Sequence, residues 1–301
     1  MKATVFQITR TSLHDGDGVR TVVYLKGCTM ECRWCHNPEG LLPKPEILHY
    51  PQRCIGCGRC VSLCPECHEV TTSGMRFLRE WCTGCGRCAE ACPNEVLILS
   101  GREMTVEEVF AEIVKDKPYY DRTGGGVTLS GGECLLWPAF CRALLERCRG
   151  AGISTAVETA LHVPWENIAA ALPVTGTFLA DLKHGDEAEH SAYTGGSLSL
   201  ILDNLERLTA LHSDVRLRIP LIHGINDGEA LVGIGRRIRA LPTKPKSVEL
   251  LRFNAAGLGK YWALDADTSR VPVGNPQTDA EMEAAANILR QQLTDTPIFF
   301  L

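Results

Sequence analysis

Two copies of one cysteine run constrain this chain more than any other feature. Cys54, Cys57, Cys60 and Cys64 are followed by Pro65, and Cys82, Cys85, Cys88 and Cys92 by Pro93. Each run reads C-x2-C-x2-C-x3-C-P. That spacing lets one loop wrap three corners of a [4Fe–4S] cluster, while the fourth cysteine of each run ligates the other cluster. Interleaved glycines admit close backbone approach, and the proline turns the chain away. By that rule Cys54, Cys57, Cys60 and Cys92 hold one cluster, and Cys82, Cys85, Cys88 and Cys64 hold the other. Paired C-x2-C steps also suit tetrahedral zinc, but a duplicated eight-cysteine run with both prolines favours iron–sulfur. Cys67 is left over, either inert or a substitute if Cys64 is not used.

A second group differs in kind. Cys28, Cys32 and Cys35 have C-x3-C-x2-C spacing and no fourth cysteine within reach of the pattern. Three thiolates leave one iron of a cubane without a protein ligand, and an open coordination position marks chemistry rather than structural closure. The bland alternative is three coincidental core cysteines after a strand. Cys134, Cys141 and Cys148 step by seven through a helical pattern over 135–149, so Cys141 and Cys148 are expected as core filler. Cys134 follows Gly131-Gly132-Glu133 and is expected at the edge of a pocket.

Fifteen cysteines with no secretory core point to metal in a reducing compartment rather than to disulfides. The first twenty residues carry Lys2, Arg10, His14, Asp15, Asp17 and Arg20, which leaves no apolar signal segment. No stretch has the length a membrane span requires, so a cytoplasmic protein without a membrane partner is expected. A net charge of −5 offers no basic field for nucleic acid.

Apolar, β-branched segments at 21–26, 127–130, 154–158, 177–183, 215–221 and 247–253 predict strands. Helical patterns fall at about 105–115, 135–149, 164–171, 198–211, 229–240 and 278–293. The alternation predicts an α/β fold with a parallel sheet and right-handed crossovers. Polar residues recur at the expected strand ends: Cys28, Gly131-Gly132-Glu133, Glu158-Thr159, Asp181 with Lys183, and Asn254, with Arg218 inside the fifth strand.

The C-x3-C-x2-C run, with Trp34 just before its third cysteine, resembles the signature of radical S-adenosylmethionine enzymes. The longer string Asp15-Gly16-Asp17-Gly18-Val19-Arg20, then Lys26-Gly27-Cys28 and Trp34-Cys35-His36-Asn37-Pro38, is similar to the glycyl-radical-enzyme activating enzymes, with further matches at 123–133, 156–159 and 180–183. The resemblance implies a partial (β/α)6 TIM-like barrel with an inserted bacterial ferredoxin-like two-cluster domain. It divides the chain into residues 1–49, 50–100 and 101–301, the first and last forming the barrel.

The implied activity is oxidoreductive, as in pyruvate formate-lyase activation under anaerobic conditions. S-adenosylmethionine is cleaved to a 5′-deoxyadenosyl radical that takes an α-hydrogen from a backbone glycine of a large partner enzyme. Three [4Fe–4S] clusters, an electron-donating flavodoxin or ferredoxin, and a monomeric state follow from the same resemblance. The implied cofactor-binding set is Trp34, Cys35, His36, Gly131, Gly132, Glu133, Asp181, Leu182, Lys183, Arg218 and Asn254. Within it the Gly-Gly-Glu turn borders the methionine amine, and Asp181 and Lys183, on one strand face, address the ribose and carboxylate. Trp34 lies against adenine, and Asn254 stands where a histidine is usual. Glu158, Thr159 and Asp181 are the implied surroundings of a monovalent cation, with Glu158 in place of the usual aspartate. Asp15-Gly16-Asp17-Gly18 is the implied loop that meets the partner. Two other readings are a ribonucleotide-reductase activase or peptide-modifying enzyme, and a non-catalytic ferredoxin-type electron carrier.

Overall fold

The computed structural model describes residues 1–72 and 74–301. Strands β1 (Lys2–Ser12) and β2 (Arg20–Leu25) open the chain. β3 (Glu46–His49), β4 (His68–Thr71), β5 (Gly74–Phe77) and β6 (Leu97–Ser100) lie in and around the cysteine runs. β7 (Arg102–Thr105) leads back to β8 (Gly126–Gly131), β9 (Ser154–Thr159), β10 (Thr177–Asp181), β11 (Val215–Pro220), β12 (Ser247–Leu251) and β13 (Ile298–Phe300).

Nine strands form one sheet in the order β13-β12-β11-β10-β9-β8-β2-β1-β7. Every pair from β2 to β13 is parallel, whereas β1 and β7 add antiparallel strands at the other edge. Helices Pro138–Gly150, Trp165–Ala171, Leu198–Leu211, Gly228–Ala240 and Asp279–Arg290 connect successive parallel strands. The six expected strands are all present, each shifted by a residue or two at its ends. β10 stops at Asp181, so Lys183 lies just beyond it. β1, β7 and β13 were not expected: β1 is half exposed and polar along much of its length, and β13 has three residues.

Coverage on both faces gives the parallel strands their near-continuous burial. The helix Pro138–Gly150 shows how the layers close. Phe140, Cys141, Leu144, Leu145 and Cys148 recur at three- and four-residue steps and are buried in the main core. Cys134 is fully buried with them rather than at a pocket edge, its thiol directed at the Leu129 and Glu158 carbonyls.

The sheet curls. The loop between β1 and β2 reaches two strands that are three places apart in the sheet: Thr128 of β8 donates to the Asp15 carbonyl at 2.6 Å, and Arg216 of β11 binds Asp17 at 2.6 and 2.8 Å. The curl leaves a polar interior between those strands.

The cysteine-rich segment stands on a two-stranded base in which β3 pairs antiparallel with β6. Pairing therefore starts at Glu46, ahead of the expected boundary at residue 50. Its short helices Arg59–Leu63 and Arg87–Glu90 are each entered from a left-handed glycine, Gly58 (φ 70°) and Gly86 (φ 79°). A side chain there would be strained. Arg79 ties this segment to the rest, donating to the Ile47 carbonyl at 2.6 Å and to the Ala263 carbonyl at 2.8 Å. Among the described residues no helix is long and apolar enough to cross a membrane.

Candidate active site at the strand ends

A cavity of about 410 Å³ opens at the carboxyl ends of the parallel strands, a volume suited to a small-molecule ligand. Every strand from β2 to β12 in the parallel set delivers a lining group at or just past its end, from Cys28 to Asn254. In parallel β/α architectures this is the face where chemistry is placed.

Cys28, Cys32 and Cys35 all line the cavity. Gly27 (φ 100°) turns the chain out of β2, and the loop that follows is gripped on both flanks. On one side Gly27 N donates to Gly40 O at 2.7 Å and Cys28 N to Leu41 O at 2.9 Å. On the other, Glu31 N donates to Thr194 O at 2.8 Å and Arg33 N to Tyr193 O at 3.0 Å. Burial pushes the Cys28 and Cys32 thiols up to about 12 and Cys35 up to about 11. A metal bound here must therefore displace protons.

The glycines at the end of β8 have a steric cause. A Cβ on Gly131 would lie 2.1 Å from the Leu25 carbonyl oxygen, and one on Gly132 2.3 Å from that of Gly27. No larger residue lets this turn press against the base of the cysteine loop. Both glycines line the cavity, and Glu133 does not. Its carboxylate is 1% exposed and accepts from Thr159 Oγ1 at 2.8 Å, Ala160 N at 2.9 Å and Leu135 N at 3.1 Å. Burial raises its pKa to about 7 in spite of those donors. Glu133 thus braces the β8 and β9 ends together from behind the wall.

Lys183 Nζ donates to Asp181 Oδ2 at 2.5 Å, and both residues line the cavity. Burial disfavours the Lys183 charge, but Asp181 and the neighbouring Cys32 and Cys28 thiols raise its pKa above the ordinary lysine value. Burial raises the Asp181 carboxyl, with Lys183 opposing. Leu182 points the other way, fully buried in the main core, and its N–H is committed to the Arg218 carbonyl at 2.9 Å.

Arg218 is the hub of the interior, 3% exposed. It donates to Glu158 at 2.7 Å and to Glu249 at 3.1 Å, and also to the His14 carbonyl. Burial disfavours the Glu158 carboxylate, but Arg218 and Ser130 pull its pKa below the usual value. The three residues expected around a monovalent cation are thus already engaged: Glu158 by Arg218, Asp181 by Lys183, and Thr159 by Glu133.

Trp34 packs with Ile222 and Phe253 to form an apolar wall of the cavity. His36 and Asn254 lie on its rim, where the Asn254 side chain caps the following turn by accepting from Ala256 N at 2.9 Å. In the β1–β2 loop, Asp15 lines the cavity and Asp17 faces outward, held by Arg216. Gly18 (φ 67°) packs so tightly that a Cβ would meet Gly125 N at 2.5 Å.

The cysteine runs interleave. Cys54, Cys57 and Cys60 share a second cavity of about 310 Å³ with Cys92, the last cysteine of the other run. Cys88 lies within electrostatic reach of Cys82, Cys85 and Cys64. Cys67 is buried beside Cys64, Cys82 and Cys88. Among the described residues no group of three His, Cys, Asp or Glu is placed to hold a single metal ion.

Sequence reasoning missed the residues that clamp the cysteine loop from outside. Buried Lys26 donates to the Glu39 carbonyl at 2.6 Å and pairs with Glu46 at 3.1 Å, joining the loop to the base of the cysteine-rich segment. Lys260 pairs with buried Glu39 at 2.6 Å. Nothing local in the Lys26-Gly27-Cys28 string signals that its lysine is buried.

A family model described as the Radical SAM superfamily matches residues 22–232. The choline trimethylamine-lyase activating enzyme of Oleidesulfovibrio alaskensis is 38% identical over 299 residues, covering 96% of each chain. The (2S)-3-sulfopropanediol dehydratase activating enzyme of Klebsiella oxytoca is 41% identical over 270 residues, covering 86% of this chain and 84% of that one. The benzylsuccinate synthase activating enzyme of Thauera aromatica is 39% identical over 289 residues, covering 92% and 86%. In fold alone, a radical SAM methyltransferase from Sphaerobacter thermophilus matches with a TM-score of 0.51 at 17% identity, over 66% of this chain and 58% of that one. With a family model matching over residues 22–232 and such similarity along nearly its whole length, the chain belongs to the radical SAM superfamily and, within it, to the glycyl-radical-enzyme activating enzymes.

Proposed function

We propose that this chain binds a [4Fe–4S] cluster on Cys28, Cys32 and Cys35 and S-adenosylmethionine in the adjoining cavity, and activates a large partner enzyme by removing an α-hydrogen from one of its backbone glycines. The observation that carries this reading is the meeting of those three thiols in one cavity whose lining includes no fourth cysteine among the described residues. A cluster held by Cys28, Cys32 and Cys35 would supply the electron for reductive cleavage of the bound sulfonium, the chemistry that the hydrogen abstraction requires.

The chain's own residues hold and shield. Lys183 and Asp181, paired with each other at 2.5 Å, offer a donor and an acceptor to the cofactor's carboxylate and ribose. Gly131 and Gly132 leave backbone polar groups open to the methionine amine, while Glu133 keeps the turn in place through Thr159. The Trp34 wall takes the adenine, with His36 and Asn254 at its edge. Arg218 sets the floor by fixing Glu158 and the His14–Asp15 backbone. Leu182 contributes position only, because its side chain is in the core. The loop 15–18 then presents the cavity mouth to the partner's glycyl segment.

The interleaved runs suit two further [4Fe–4S] clusters. A cubane spreads its four ligands over four separate irons, so its thiols surround a cavity instead of converging on one point as zinc ligands do. The Cys54, Cys57, Cys60 and Cys92 set is the outer one: nothing lies near a Cβ built on Gly56 or Gly58, whereas one on Gly84 would meet Pro45 O at 2.4 Å. Electrons from a flavodoxin or ferredoxin would thus enter at the outer set and pass inward through Cys82, Cys85, Cys88 and Cys64.

The test is anaerobic reconstitution, reduction with dithionite, addition of S-adenosylmethionine, and assay of 5′-deoxyadenosine. Product is expected, and Cys32→Ala should remove it together with about a third of the bound iron. A reconstituted protein that yields none behaves as an electron carrier and ends the proposal.

A further inference from the structure

The helix Leu258–Ala263 lies across the outside of the three-cysteine loop. Gly257, just before it, comes so close that a Cβ there would lie 3.0 Å from the Cys35 carbonyl oxygen. Lys260 donates to Asn37 Oδ1 at 2.8 Å and to the His36 carbonyl at 3.2 Å. Tyr261, the residue after the Lys260 anchor, is 8% exposed. Its hydroxyl is buried, and its proton meets no acceptor among the described residues, the Cys35 backbone near it offering only an N–H. That hydroxyl sits against the Cys35 backbone and within electrostatic reach of the Cys35 and Cys32 sulfurs.

A buried O–H left unmatched is destabilising, and buried tyrosines ordinarily find a partner. Phenylalanine would fill the same space without that cost. The orphaned donor therefore points to an acceptor that the polypeptide itself does not supply. The nearest chemistry of that kind is sulfur: the Cys35 thiolate, or a sulfide at the same corner, once the cluster is in place.

We propose that Tyr261 donates a hydrogen bond to sulfur at the Cys35 corner of the active-site cluster and thereby raises its reduction potential. The inference rests on the functional reading above. Reduction adds one negative charge to the cluster, and a donor aimed at its sulfur favours the more negative state. Lys183 acts in the same sense on Cys32 and Cys28. The two together make the cluster easier to load with an electron, at the expense of some reducing power.

The test uses the full-length reconstituted protein poised at a fixed potential, with the reduced cluster that responds to S-adenosylmethionine counted by electron paramagnetic resonance. In Tyr261→Phe the ratio of reduced to oxidised cluster should fall roughly three- to tenfold, tenfold being ~59 mV for a one-electron couple. A deuterium-exchangeable proton coupled to that cluster should be present in the parent protein and absent in the variant. Placing 3,5-difluorotyrosine at position 261, a stronger donor of similar shape, should move the ratio the opposite way, which a packing role would not. Equal ratios and an unchanged proton coupling in parent and Tyr261→Phe overturn the assignment. A cluster signal indifferent to S-adenosylmethionine overturns the functional reading instead, and the proton coupling still decides the tyrosine.

Discussion

The two cysteine sites are built on opposite plans. At the strand ends the loop carrying Cys28, Cys32 and Cys35 is held by backbone hydrogen bonds on both flanks and by buried charges beneath it. In the cysteine-rich segment Cys57 and Cys85 are exposed, two helices of one turn carry the third cysteine of each run, and the apolar cluster is small and largely made of the cysteines themselves. A sheet shapes the first site before any metal arrives. In the second, cysteines occupy the places that core side chains hold elsewhere, so the binding energy of the proposed clusters would be folding energy. On the proposed reading, the contrast separates a site that must position a reaction from one that need only hold charge carriers at a fixed spacing.

The largest expected effect pits one cysteine from each plan against the other. Cys32→Ala should bring 5′-deoxyadenosine to background, with the parallel sheet still folded. Cys57→Ala should lose iron from the segment alone and lower product less steeply, more so with a protein electron donor than with dithionite. Iron analysis beside product yield checks both, and the comparison fails if the two variants behave alike. Next in size is metal removal. Hydrogen exchange after chelation should show amides over 50–96 losing protection while β2 and β8 to β12 keep theirs. Uniform loss along the chain would mean that the sheet, too, depends on its metal.

A third effect tests how firmly the strand ends are preformed. Burial lifts the folded-state pKa of Glu133 to about 7 from an ordinary value of 4.5. Between those values the native state binds the proton that the unfolded chain has released, so this group's stabilisation is full below about pH 4.5 and lost as pH rises through about 7. At 1.36 kcal/mol per unit the loss is about 3 kcal/mol. Denaturant titrations of the metal-free protein at pH 5 and pH 8 should show that much more pH dependence in the parent than in Glu133→Gln.

What was legible in the sequence divides along the same line. Cysteine spacing is local, so both patterns are read directly, and the motif predicts Cys92 beside Cys54, Cys57 and Cys60, with which it shares a cavity. The parallel strands were legible because burial on both faces makes them continuously apolar. Side-chain direction was not. Glu133 and Leu182 read as cofactor contacts from their place in a motif, yet one is turned behind the wall and the other into the core. Lys26 and Tyr261 carry no local sign of burial, since each is covered by segments distant in the chain. β1 and β7 escaped notice because edge strands mix polar and apolar residues.

The smallest effect concerns the loop expected to meet the partner, where both plans occur within three residues. Asp15 is mostly buried and shares the interior with Glu158 and Arg218, at 3.7 Å from the latter. Asp17 is bound by both arms of Arg216, which depress its pKa, but its side chain is 68% exposed. A lowered carboxylate pKa contributes stability above the unfolded value near 3.8 that is lost as pH falls through the folded one. Solvent screens that contribution, so Asp17→Asn should cost well under about 1 kcal/mol at neutral pH, and the difference from the parent should shrink below about pH 4. A loss of several kcal/mol would place Asp17 with the preformed interior instead of with the surface, and would remove the loop's outer half from the residues free to rearrange around a partner.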